Sequence, residues 1–172
     1  MKSISSSIKI NHIMNGKKIV IALDYEPSAL KVAESGFSLA KSLQAEIILL
    51  HIISDPVYYY SDEYSPMREF PVFKKMKPFQ EERDTDIKNA SQLFLDKIKK
   101  HLGDETIQTM VEEGDSSESI FKTAKKLHMD IIVMGSHSHS WLENIVLGSV
   151  TEKVLKSTSI PLFIIPTKIT LK

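Results

Sequence analysis

Three places in the chain carry residues whose types and spacing suit ligand chemistry. Asp24 is the first polar residue after the apolar run Ile19-Val20-Ile21-Ala22-Leu23. A carboxylate there can accept hydrogen bonds from a sugar hydroxyl or an adenine amino group, and Asp serves equally well as a turn former or helix cap. Met134-Gly135 leads into Ser136-His137-Ser138-His139-Ser140. Glycine lets backbone N–H groups approach a ligand closely because it has no Cβ. His137-x-His139 has a spacing found in metal sites, but no third ligand is evident nearby, so metal binding is not expected. Gly148-Ser149, followed by Val150 and Thr151, has the character of a phosphate cradle at a helix start, where unpaired N–H donors point outward. The same glycine would also serve as a kink or packing point inside a helix. No residue is assigned a catalytic role: there is no base–nucleophile pair in register and no Gly-x4-Gly-Lys-Ser/Thr run.

These residues need a scaffold, and composition bounds it. The chain has 172 residues, with 22 basic against 22 acidic and no formal net charge. That length fits one core. Zero net charge makes nucleic acid and anionic membranes poor partners. The absence of Cys removes disulfides and thiolate chemistry and fits a reducing, cytoplasmic setting. No apolar run approaches the ~20 residues of a membrane helix. The N-terminal stretch, residues 1–16, is polar and reads as a flexible tail, followed by one domain over 17–172.

Along that domain, predominantly apolar runs at 19–23, 46–53 and 130–134 read as strands buried on both faces, the mark of a parallel sheet. Residues 106–111 alternate and read as an edge or half-exposed strand. Residues 160–166, with a proline at each end, form a fifth strand. Helical periodicity separates them. Leu30, Ala33, Phe37, Ala40 and Leu43 mark one helix face, and Ile87, Ala90, Phe94, Leu95, Ile98 and Leu102 another, which Gly103 stops. Asp115 and Glu118 have capping-box spacing before a third helix. Ile145, Leu147, Val150, Val154 and Leu155 mark a fourth. The segment 54–79, with four prolines and a tyrosine cluster, reads as a loop insertion. Alternation of this kind predicts an α/β fold, a single open, doubly wound, parallel five-stranded sheet with helices on both faces, and ligands beyond the carboxyl ends of its strands.

Gly135-Ser136-His137-x-x-Ser140, continuing to Leu147-Gly148-Ser149-Val150-Thr151-Glu152-Lys153-Val154-Leu155, closely resembles the universal stress protein family. The closing stretch Ser159-Ile160-Pro161-Leu162-Phe163-Ile164-Ile165 does so too, and Asp24, Leu49-Leu50-His51-Ile52 and Val111-Glu112-Glu113-Gly114 fall in matching order. The resemblance implies strand order 3-2-1-4-5 and a cytosolic stress-response regulator or sensor binding ATP, with Mg²⁺, in the crevice. By position, Ala22, Leu23 and Asp24 would line the adenine and ribose end, Ile52 would pack on the base, and Met134 and Gly135 would sit beside the ribose. His137, Ser138, Gly148, Ser149, Val150 and Thr151 would surround the phosphates. Nucleotide-binding members follow Gly-x2-Gly-x9-Gly-Ser/Thr. Here the spacing holds, but Ser138 replaces the middle glycine and the bulky Trp141 stands where a small residue is common. The alternative is a member without nucleotide that works as a dimeric protein-interaction module. The apolar last strand, Leu162 to Ile165, would be a sheet edge, and pairing it with a second copy makes a homodimer, as in similar family members.

Overall fold

Runs of β-branched and aliphatic residues that no water-facing strand would carry place β1 (Lys18–Ala22), β2 (Glu46–Ile53) and β4 (Ile131–Gly135) in the middle of a sheet. A computed structural model describes residues 16–54, 80–136 and 147–167, with side chains in the second helix from Ile87 onward. The expected tail lies outside the described residues except for Gly16, and the 54–79 loop except for Ser54. The remaining elements are α1 (Ala29–Ser42), α2 (Gln80–Leu102), β3 (Gln108–Glu113), α3 (Ser116–Lys126), α4 (Ser149–Ser157) and β5 (Leu162–Ile165). All strand pairs are parallel and the order is β3-β2-β1-β4-β5, as expected. Val20 lies opposite both Ile48 and Ile132, so the three central strands are in step.

Side chains alternate across the sheet and build two cores. Ile19, Ile21, Leu49 and Ile53 face α1 and α2, meeting Ala33, Ala40, Ile87 and Leu95. Val20, Ala22, Leu50, Ile52 and Ile132 face α3 and α4, meeting Ile120, Ala124 and Val154. β3, half-buried along its middle, is one edge, and β5 is the other.

Several local expectations are corrected. α1 does not bury Leu30 and Leu43, which are 39% and 43% exposed. It buries Ala29, Val32, Ala33, Gly36 and Ala40. A Cβ on Gly36 would sit 2.7 Å from Ile21 Cδ1, so the small-residue stripe is what lets α1 lie close on the sheet. β3 starts later than 106. Asp104 accepts hydrogen bonds from Thr106 N (2.9 Å) and Oγ1 (2.6 Å), which folds that residue into a turn and sends Ile107 into the core. Its end extends through Glu113, with the turn left to Gly114. Only half the capping box forms: Asp115 accepts from Glu118 N at 3.0 Å, whereas the Glu118 carboxylate pairs with Lys122. Helix α4 begins at Ser149, after Leu147, and exposes Leu155, while Ile145 lies outside the described residues. The strand expected over 160–166 is the shorter β5, flanked by its two prolines.

Candidate functional site

The chain runs from β1 outward through β2 to β3 on one side, and from β4 to β5 on the other. Adjacent connections therefore diverge between β1 and β4, leaving a crevice at their carboxyl ends. At the end of β1, Leu23 leaves the ladder but stays pinned: its N–H donates to Leu50 O (2.8 Å), and His51 Nδ1 donates to its carbonyl (2.8 Å). Asp24 is exposed just beyond, and its Oδ1 accepts from Glu26 N at 3.2 Å. Asp24 is thus a turn former whose carboxylate also faces the crevice.

At the end of β4, Gly135 and Ser136 meet the start of α4. Gly148 N donates to Ser136 O (2.9 Å), and Thr151 Oγ1 donates to Gly135 O (2.9 Å). The first helical bond is Glu152 N to Gly148 O. The N–H groups of Ser149, Val150 and Thr151 come before it and have no helical carbonyl to reach. The cap residue itself is glycine and brings no side chain to them. Gly148 is therefore the cap of a helix start, and the kink reading falls away.

Of the twelve residues singled out from sequence, ten line this one crevice: Ala22, Leu23, Asp24, Ile52, Met134, Gly135, Gly148, Ser149, Val150 and Thr151. His137 and Ser138 lie outside the described residues, as do His139 and Trp141. The crevice also takes in Tyr25, Glu26, Ser54, Ser116 and Ile120, which sequence reasoning missed. For Ser116 and Ile120 a signal existed, since the Asp115 cap announces a helix start just past the carboxyl end of β3.

The chemistry of the lining is uneven. Ile52, Met134, Ala22 and Ile120 make an apolar wall suited to a planar base. Asp24 and Glu26 are carboxylates, and no Lys or Arg is among the described lining residues. A negative ligand group would therefore rest on the N–H groups and partial positive charge of α4, equivalent to about half an elementary charge. The crevice volume is about 220 Å³. That is below the ~300–1,000 Å³ of pockets that enclose a drug-sized ligand, so a larger ligand must extend beyond these walls. Among the described residues no group of three or more metal-ligating side chains comes together, and no helix is long and apolar enough to cross a membrane.

Fold and site together define a parallel α/β domain with a crevice at its topological switch point. The family model for the universal stress protein family matches residues 16–166, and the chain belongs to that family. It is 31% identical over 156 residues to universal stress protein MJ0577 of Methanocaldococcus jannaschii, covering 88% of this chain and 96% of that protein. It is 24% identical over 153 residues to universal stress protein C of Escherichia coli K12, covering 89% and 97%. The solved structure of MJ0577 superposes with a TM-score of 0.67 at 27% identity, covering 90% of this chain and 99% of that one. A universal stress protein solved in complex with cAMP shares the fold, with a TM-score of 0.57 at 18% identity over 88% and 98% of the two chains.

Proposed function

We propose that this chain is a stress-response regulator or sensor that binds an adenine nucleotide in the crevice, in the cytoplasm and as a homodimer paired through β5. The observation that carries the reading is the convergence of an apolar wall, the Asp24 carboxylate and the uncapped start of α4 on one crevice. Adenine and ribose would take the side of Ala22, Asp24, Ile52 and Met134, and a phosphate the N–H groups of Ser149, Val150 and Thr151. ATP would bring its Mg²⁺ with it, offsetting charge that no Lys or Arg among the described lining residues meets. The bound nucleotide is a signal in this reading, and hydrolysis is no part of it.

The second reading, an interaction module without nucleotide, is favoured by Ser138 and Trp141 in the phosphate segment. Calorimetry with ATP and Mg²⁺ separates the two, with AMP and cAMP as further titrants. Binding in the micromolar range, worth about 8 kcal/mol, supports the first. No heat at ~100 µM protein, with no nucleotide released from the purified protein on heating, establishes the second. Ser138→Gly restores the family's middle glycine and is expected to tighten binding.

A further inference from the structure

Helix α2 contributes no residue to the crevice lining among the described residues, yet it is bonded to the loop that carries Asp24. Tyr25 follows Asp24 directly and turns its ring inward. Its hydroxyl donates to Ser91 Oγ on α2 at 2.7 Å, and Ser91 Oγ donates onward to Ile87 O at 2.8 Å. Ser91 is 0% exposed, so this is a bond made away from water. The Tyr25 ring also packs on His51 of β2, with centroids 4.4 Å apart, and on Phe94 of α2, at 4.8 Å. His51 Nδ1 then donates to Leu23 O at 2.8 Å. The residues on either side of Asp24 are each tied to a different element: Leu23 to β2, and Tyr25 to α2.

We propose that Tyr25, His51 and Ser91 form a positioning set that presents Asp24 to the crevice and couples α2 to it. The carboxylate itself is exposed and, among the described residues, accepts a hydrogen bond only within its own turn. What fixes its direction is therefore the anchoring of its two neighbours. Burial keeps the Tyr25 hydroxyl protonated, with its pKa pushed up to about 12. Burial also holds the His51 pKa below its ordinary value, leaving the neutral ring. A carbonyl accepts only, so the proton of that neutral ring sits on Nδ1. Both groups stay donors through the neutral pH range, and the set does not switch off there.

The bearing of this set on nucleotide affinity rests on the function proposed above, but the anchoring does not. Ser91→Ala is the sharpest variant, because Ser91 lies outside the lining. Tyr25→Phe, which keeps the ring and removes only the hydroxyl, is the second should Ser91→Ala fold poorly. Hydrogen exchange of the ligand-free protein reads the anchoring. Protection of the segment from Leu23 to Ala29 should fall about tenfold, while that of β4 stays as it was. Unchanged exchange in that segment, or an equal rise in every element, overturns the inference. Calorimetry reads the consequence. Affinity should fall by about three- to tenfold, and that effect should vanish in an Asp24→Ala background, since a residue acting through Asp24 has nothing left to position. An additive loss in the double variant overturns the coupling to Asp24. A wild-type protein that binds no nucleotide would sink the proposed function, with the exchange result still deciding the anchoring.

Discussion

His51 is 2% exposed on a central strand, and its burial has a consequence for stability. Its pKa in the fold lies below the ordinary 6.5 because desolvation disfavours the charged ring, and the carbonyl of Leu23 and the charge of Asp24 offset this only in part. Below that ordinary value the unfolded chain takes up a proton that the folded one refuses. The His51 contribution is therefore complete above about pH 6.5 and is lost as pH falls toward the lower, folded pKa. The slope for one proton is at most about 1.4 kcal/mol per pH unit. Urea unfolding between about pH 7 and about pH 5 should show this loss in the wild type and a flatter profile in His51→Gln, even though that variant is less stable at neutral pH. Equal slopes in the two proteins would assign the acid sensitivity elsewhere. The segment Leu49-Leu50-His51-Ile52 is visible in the sequence as part of a family pattern, but the partners of His51 are not. Leu23 is 28 residues away along the chain, and no local spacing announces that bond.

The helices show where local pattern succeeds and where it misleads. In α2 the expected face is the buried one, because large apolar residues at helical spacing have a broad sheet surface to cover. In α1 the same rule selects Leu30 and Leu43, and the structure turns them outward. The deciding contact is at Gly36, where an added Cβ would meet Ile21 Cδ1 at 2.7 Å, Ile21 Cγ1 at 3.0 Å and Val133 Cγ1 at 3.1 Å. Gly36→Ala gains up to about 1 kcal/mol of helix propensity. It also forces two fully buried strand residues apart, which typically costs about 1–3 kcal/mol. The expected net effect is a loss of stability, seen as a melting temperature lower by several degrees. A variant as stable as wild type would mean that α1 can slide off the sheet freely. The start of α4 is the complementary case. Residue types left Gly148-Ser149 open between a helix N-terminus and a kink inside a helix, and the structure decides for the N-terminus by starting α4 at Ser149.

At the scale of the molecule, β5 is the edge next to β4, and Phe163 on it is 41% exposed. An apolar edge strand left open invites association, and pairing with the same strand of a second copy closes it. Phe163→Lys should halve the mass measured by light scattering while leaving the circular dichroism unchanged. A folded variant of unaltered mass would place any dimer contact elsewhere.

The parallel sheet and its element order follow from the chain's own pattern, since strands buried on both faces must be apolar throughout and each parallel pair needs a crossover between its strands. Residue types likewise single out Asp24, Gly135 and Gly148-Ser149, which line one crevice, because what they offer is a carboxylate, a missing Cβ and unpaired N–H groups, all local properties. Ala33 and Ala40 of the expected α1 face are buried, but packing alone turns Leu30 and Leu43 outward, because that choice depends on a close approach between elements far apart in sequence. For the same reason it alone joins Ser116 and Ile120 to the crevice and ties Tyr25 to Ser91, 66 residues away. Such contacts exist only after the sheet has brought its strand ends together.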